Sequence, residues 1–381
     1  MTKKIKVFVD VDVLTMEHFS GIGHYTASLL KAVDLLLKRD EYNHFSITLG
    51  APARQAHKLN RFQFENFSVR KMPISSRIVN GLKQSGKLPS IDLLYGKQVY
   101  VFPNYSSWPT LRSPVIPVIY DLSFIKYPQY GDKRNMEFLV DQVNKSVQRS
   151  RRIITISKNS KKEISEQYTL DNNKIDIVYP IIEMRDFYKR SSEEIAKIKA
   201  KYCIFGDYIL FVGNLEPRKN LTTLLDAYEK LPSQIQEKYS LLLVGAKGWN
   251  DDEIHTKIQH LRMKGLRILQ PISYVTDEDL PALFSGASAF SYVSIYEGFG
   301  IPPVEALACG TPTVSTNNSS LPEAVGKGAE MVKATNSTEI AHAIEKVLRK
   351  PLDADIGYRQ ARQYDALSAA TSFLKSLEEA A

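Results

Sequence analysis

Cysteine is scarce in this 381-residue chain: Cys203 and Cys309 are the only two. Two make neither a disulfide framework nor a zinc site. No apolar run approaches the ~18 residues of a membrane-spanning helix. The opening MTKKIKVFVDVD passes from a basic tip straight into a strand, without the apolar stretch and small-residue cleavage site of a secretory leader. Together these absences point to a cytosolic, reduced protein. The 19 glycines and 18 prolines are too few for collagen-like or low-complexity sequence, and no 20–50-residue repeat suggests a solenoid. What is present is ordinary globular material, 43% hydrophobic and 24% charged, long enough for two domains.

The formal charge of +8 is unevenly spread. Residues 1–190 hold 30 Lys and Arg against 18 Asp and Glu, and residues 191–381 hold 20 against 24. A basic first half suggests an anionic partner such as nucleic acid, a phospholipid surface or a phosphorylated substrate; a lysine-rich solvated face is the plainer alternative.

Hydrophobic period and turn residues give alternating strands and helices. In the first half, strands are expected at 3–10 and 44–50 and a helix at 21–39. Short apolar runs follow near 91, 99, 115 and 152, with a polar helical region at 134–150. In the second half, strands are expected at 207–214, 240–246, 266–272, 287–294 and 311–316. Helices are expected at 221–231, 251–261, 277–286 and 301–310. Strands interleaved with 10–15-residue helices make parallel sheets covered on both faces. The reading is an α/β chain of two doubly wound, Rossmann-like domains facing across a deep cleft. The first spans 1–190 and the second 191–355, the charged stretch 183–206 joining them. Residues 356–381 form a C-terminal helical segment outside the second sheet.

Ligands of open α/β sheets bind beyond the carboxyl ends of strands, and five clusters fall there. Gly21 and Gly23 open a helix, where backbone can approach a phosphate or sugar, though Thr26 stands where a dinucleotide fingerprint needs its third glycine. Asp10 and Asp12 form an Asp-x-Asp pair that reads better as a turn than as a metal site. Asp121, after Tyr120 at a strand end, could orient an acceptor hydroxyl or cap a turn. In GNLEPRKN (213–220), Arg218 and Lys219 follow a strand-ending glycine, as a pyrophosphate would require.

The strongest cluster is Glu297-Gly298-Phe299-Gly300-Ile301 with Glu305 eight residues after Glu297. Its glycines free N–H groups just ahead of a helix started by proline, an anion cradle. Glu305, one turn in, can accept from ribose hydroxyls, and Glu297 from sugar hydroxyls.

These segments, with RIITISKNSKKEI (152–164), LLLVGAKGW (241–249) and NNSSLPEAVGKGA (317–329), resemble the family-four glycosyltransferases of the GT-B fold over most of the chain. The resemblance implies acceptor binding in the first domain and nucleotide-sugar binding in the second, with the C-terminal helix crossing back to the first. It implies that Arg218 and Lys219 neutralise the donor diphosphate and that Glu305 binds the ribose. Glu297, Gly298, Phe299 and Gly300, with neighbouring Asn214 and Ile301, would face the donor. Tyr274 and Val275 would border the base, and Gly21 and Gly23 would close over the diphosphate. Transfer would retain anomeric configuration without metal or cofactor. Relatives often carry His-Asp at Tyr120-Asp121 and Arg at His24, both on the acceptor side. The GNLEPRKN and GIGHYT forms look most like mannosyl-type members, so GDP-mannose leads and UDP-glucose or another UDP-sugar follows.

A saccharide or lipid-diphosphate-linked acceptor fits the basic first domain. Segment 75–89 sets Arg77, Lys83 and Lys87 beside Ile78, Val79 and Leu82, a pattern for peripheral contact with an anionic membrane. The alternatives are an NAD-dependent oxidoreductase, from strand pattern alone, and a non-enzymatic nucleotide-sugar or nucleic-acid-binding protein.

Overall fold

The computed structural model describes residues 4–17, 20–73, 81–82, 88–131, 133–248 and 250–381. Most of the basic segment 75–89 lies outside them. The chain divides into two compact units, residues 1–181 with 365–381, and residues 182–364.

The first unit begins with β1 (Ile5–Asp10), α1 (Gly21–Leu36), β2 (Phe45–Pro52) and β3 (Ser68–Met72). Next come α2 (Ile91–Tyr95), β4 (Val99–Phe102), β5 (Val115–Pro117), α3 (Ser123–Lys126) and α4 (Lys133–Arg149). β6 (Ile153–Thr155), α5 (Lys158–Tyr168) and β7 (Ile175–Ile177) complete the run. Five strands pair in parallel in the order β3-β2-β1-β4-β5. β6 and β7 pair with each other and join β5 through the bridge of Val118 to Ile154. The apolar run at 91 is thus the short helix α2. Asp92 explains it: its carboxylate takes the N–H groups of Leu111, Arg112 and Ser113 at 3.0–3.1 Å, tying the turn down at its start.

The second unit starts with α6 (Ser192–Lys201), inside the charged stretch expected to be only a connector. Ser191 and Glu194 cap it reciprocally, a local signal independent of apolar content. β8 (Asp207–Val212), α7 (Leu221–Glu229), α8 (Ser233–Lys238), β9 (Tyr239–Val244), α9 (Asp252–Met263) and β10 (Ile268–Leu269) follow. Then come α10 (Leu280–Gly286), β11 (Ala289–Tyr292), α11 (Ile301–Ala308), β12 (Thr313–Thr316), α12 (Leu321–Val325) and β13 (Ala329–Val332). α13 (Ser337–Arg349) and α14 (Ala354–Ala361) close the unit. Its sheet runs β10-β9-β8-β11-β12-β13, all parallel. Strands such as Tyr208–Phe211 and Leu241–Leu243 are buried along their length. This is why they read as unbroken apolar runs rather than alternating ones.

Both sheets reverse strand order beside their first strand, between β1 and β4 and between β8 and β11. That reversal opens a crevice at the strand ends, the ligand position of such sheets. Each unit is Rossmann-like by this order. The last helix, α15 (Ala366–Ala380), belongs to the first unit and packs on α1. Units meet in sequence at 181/182 and 364/365, rather than at the expected 190 and 356, and α14 stays with the second.

Candidate functional site

The second unit's switch point is built from three stretches: the β8–α7 turn, the loop between β11 and α11, and the turn after β12. Gly213 ends β8 at φ +149°, a conformation that favours glycine. A Cβ on Gly245, at the end of β9, would lie 1.9 Å from the Gly213 carbonyl oxygen, so these loops touch backbone to backbone. Pro217 then opens a tight turn through Lys219, and Asn220 stops it at φ +61°. The buried Asn220 amide donates to the carbonyls of Val293 at 2.9 Å and Ala334 at 2.7 Å. The turn is therefore fixed against the end of β11.

That fixing brings Arg218 and Lys219 onto Glu297. Lys219 Nζ donates to Glu297 Oε1 and to the Tyr292 hydroxyl, each at 2.7 Å. Arg218 Nη1 donates to Glu297 Oε2 at 3.0 Å and the Tyr296 carbonyl at 2.8 Å, and Nη2 to Glu216 Oε1 at 2.7 Å. The Tyr292 hydroxyl donates to Glu297 Oε1 at 3.0 Å. The Glu297 side chain is 9% exposed. Burial alone would raise its carboxyl, but Arg218 and Lys219 outweigh that and hold it at about 2, so it is ionised at neutral pH. Burial lowers Lys219 and, with Glu297 nearby, raises Tyr292 well above its ordinary value. Two cations and two carboxylates thus balance in a buried cluster at the strand ends, with Tyr292 kept as a neutral donor.

Gly298, Phe299 and Gly300 lead into α11. Gly300 is its N-cap at φ +97°, and a Cβ there would lie 2.5 Å from Leu321 Cδ2. Proline occupies the first turn of α11, where no hydrogen bond is lost. One turn in, Glu305 is partly buried, and its carboxyl has no hydrogen-bond or ion-pair partner among the described residues. Burial, and then Asp277, push it up to about 8. A carboxyl so placed is mostly protonated at neutral pH and takes its charge only when a donor group reaches it.

The other expected residues divide between the units. Asn214 is exposed beside the cluster, its carbonyl accepting the Glu216 N–H at 2.9 Å. Tyr274 is 71% exposed and Val275 buried, on the segment leading to Asp279. Asp279 accepts from the Tyr202 hydroxyl at 2.6 Å and Lys201 Nζ at 2.5 Å, which anchors that segment to the end of α6. Ile301 is the first residue of α11.

In the first unit, Gly21 and Gly23 stand in the first turn of α1, at the helix start expected for them, and offer first-turn N–H groups. Asp121 Oδ1 accepts the Ser123 N–H at 2.8 Å, a turn-capping bond at the start of α3. Asp10 likewise accepts the Asp12 N–H at 3.2 Å across the turn after β1. Tyr120 is buried between the rings of Tyr25 and Tyr105 and donates to the Pro103 carbonyl at 2.8 Å. Sequence reasoning missed Glu216, Asn220, Tyr292, Ser319 and Ser320. The first two stand in the GNLEPRKN run already singled out, and the serines in NNSSLPE, so proximity to a recognised run was the available signal.

A doubly wound unit with paired cations, a buried carboxylate and a glycine-led helix at its switch point is the kind of α/β domain expected of the GT-B class. Residues 197–364 match the family described as "Glycosyl transferases group 1". The chain carries that family's domain in its second unit and has a GT-B fold of two Rossmann-like domains. It is 28% identical to O-antigen chain mannosyltransferase B of Escherichia coli over 359 residues, 91% of this chain and 92% of that protein. It is 31% identical to the Escherichia coli serotype-specific mannosyltransferase WbdA over 221 residues, covering 57% of this chain and 27% of that larger protein. Its fold superposes on Anabaena HepE in complex with UDP-glucose with a TM-score of 0.68 at 17% identity, covering 98% of this chain and 99% of HepE.

Proposed function

We propose that this chain is a retaining, metal-independent hexosyltransferase using a nucleoside-diphosphate sugar. GDP-mannose is the leading donor, and UDP-glucose or another UDP-sugar the second. The acceptor is a saccharide or lipid-diphosphate-linked saccharide in surface or extracellular polysaccharide synthesis. One observation carries the reading: Lys219 and Arg218 converge on Glu297 at a switch point where Glu305 presents an unpartnered carboxyl. The mannosyltransferase relative supports mannose, and the fold shared with HepE, whose complex holds UDP-glucose, keeps that donor second.

The chemistry follows from charge. Breaking the bond between the anomeric carbon and the diphosphate oxygen leaves negative charge on the departing nucleoside diphosphate. Arg218, Lys219 and the N–H groups of Gly298–Gly300 stand ready to stabilise it. The sugar gains oxocarbenium character, held by Glu297. The acceptor oxygen bonds to the anomeric carbon from the same face, and its proton passes to the leaving phosphate oxygen, so no protein base is needed. This contrasts with retaining glycosidases, whose two carboxylates act as acid and nucleophile. Glu305 receives the ribose hydroxyls, and Tyr274 and Val275 border the base. In the first unit, the α1 N-terminus at Gly21 and Gly23 favours an anion, and Asp121 orients the acceptor. No resident metal, cofactor or nucleic acid takes part.

Among the described residues no helix is long and apolar enough to cross a membrane. We place the enzyme in the cytoplasm, touching the anionic inner face of the plasma membrane through segment 75–89. Flotation with anionic liposomes that is abolished by salt is the expected result; no binding at low salt would remove the membrane contact. For the activity, GDP-mannose and UDP-glucose are offered with a lipid-linked oligosaccharide, with and without EDTA. We expect an α-linked product from an α-donor at equal rates in both. An inverted product, or a rate that needs added divalent cation, would overturn the reading.

A further inference from the structure

Regular pairing stops at Tyr292 in β11, yet the residues beyond it, 293–300, are mostly buried and their backbone polar groups need partners. Three consecutive side chains of the turn before α12 supply them. Asn318 Nδ2 donates to the carbonyls of Ile295 at 2.8 Å and Ser294 at 3.3 Å. Ser319 Oγ accepts the Glu297 N–H at 3.0 Å. The fully buried Ser320 hydroxyl lies within donating distance of two carbonyls, Glu297 at 2.8 Å and Phe299 at 2.9 Å.

We propose that Ser320, seconded by Ser319, is the positioning residue of the donor-binding loop 297–300. This rests on the reading that the loop holds the donor's sugar and diphosphate. In a planar trans peptide the C=O of one residue and the N–H of the next point in opposite directions. Holding the carbonyls of Glu297 and Phe299 toward Ser320 therefore turns the N–H groups of Gly298 and Gly300 the other way, both together. A single hydroxyl sets two alternate donors of a glycine loop that could otherwise rotate. Ser319 fixes the N–H of Glu297 itself, so the carboxylate stays on Arg218 and Lys219. Neither serine is placed to touch the donor; each acts through backbone.

The test uses the whole chain as Ser320→Ala, Ser320→Thr and Ser319→Gly. Ser319 sits at φ +48°, so glycine keeps its backbone while removing the hydroxyl. Calorimetry gives affinities for GMP, GDP, UMP and UDP; kinetics gives kcat and KM; melting reports the fold. Misplacing such a loop by an ångström costs on the order of tenfold to a hundredfold. We expect Ser320→Ala to lose about tenfold of the diphosphate-over-monophosphate affinity and a similar factor in kcat, with melting little changed. Threonine should restore most of both, and Ser319→Gly should fall between. If Ser320→Ala does not fold, Ser319→Gly carries the same readouts.

An unchanged diphosphate preference and kcat would overturn the proposal. So would an activity loss that follows the melting temperature and is not rescued by threonine. If the unaltered protein itself shows no diphosphate preference, the underlying functional reading fails instead.

Discussion

At the residue scale, the site holds two carboxyls with opposite electrostatics. Glu297 is held at about 2 against burial, by Arg218 and Lys219. Glu305, lacking such partners, is raised to about 8, by burial and then Asp277. The stability consequences have opposite signs. Glu297's folded pKa lies below its unfolded one, so its contribution is present above about pH 4.5 and is lost as pH falls toward 2. Glu305's lies above, so the folded state binds the extra proton, and stability falls as pH rises from about 4.5 to about 8. Glu305→Gln should flatten that fall, read as melting temperature between pH 5 and 9; an unchanged slope would contradict it. On the proposed reading, ribose hydroxyls donate to Glu305 and favour its charged form, so nucleotide binding near pH 7 should release a proton. Calorimetry in buffers of differing ionisation enthalpy checks this: we expect release in the unaltered protein and none in Glu305→Gln. The chemistry-bearing residues of this site were legible because Glu, Arg and Lys beside glycines at a strand end are uncommon there. Tyr292 and Ser320 were not. They read as ordinary strand and cap residues, and the bonds from Lys219 to Tyr292 and from Ser320 to Glu297 and Phe299 span separations that no local window contains.

At the element scale, most strands and helices announced themselves through period and breakers. The exceptions have local causes. α2 is held by Asp92 and not by a periodic face, and α6 by its capping box rather than by buried residues. The expected strand at 266–272 shrinks to Ile268–Leu269. It is an edge strand paired only with β9, where less of the chain is drawn into the ladder. The start of α11 rests on Gly300. Gly300→Ala would combine a strained φ of +97° with a 2.5 Å approach to Leu321. We expect a loss of ~1–3 kcal/mol from the backbone strain alone, measured by urea unfolding, together with impaired donor binding. A variant as stable as the original would show that the N-cap can be rebuilt. Gly245→Ala, 1.9 Å from a backbone oxygen, should be worse still.

At the scale of the whole molecule, the chain leaves its first unit, builds the second, and returns to the first as α15. That helix buries Ala369, Ala370, Phe373, Leu374, Leu377 and Ala380. It is also tied by Glu379 to Arg152 at 2.6 Å and by Glu378 to His44 at 2.8 Å. Fully burying a Phe or Leu stabilises by roughly 1.5–3 kcal/mol, so three such side chains rival a domain's whole stability. Stopping the chain at Tyr364 should therefore unfold the first unit while the second keeps its melting transition; two intact transitions would contradict this. The returning helix was legible from the sequence, but its start was not. Ala354–Ala361 has the same helical pattern as Ala366–Ala380, and only packing assigns the two to different units.

The central claim is that Arg218, Lys219 and Glu297 form the diphosphate end of a nucleotide-sugar site. The most direct measurement is a calorimetric titration of the unaltered protein and Lys219→Ala with GDP and UDP, each with and without EDTA. We expect one nucleotide to bind preferentially, indifferent to EDTA, with affinity reduced about tenfold or more in Lys219→Ala while melting shows the variant folded. Equal affinity in a folded Lys219→Ala, or binding that disappears with EDTA, would contradict it.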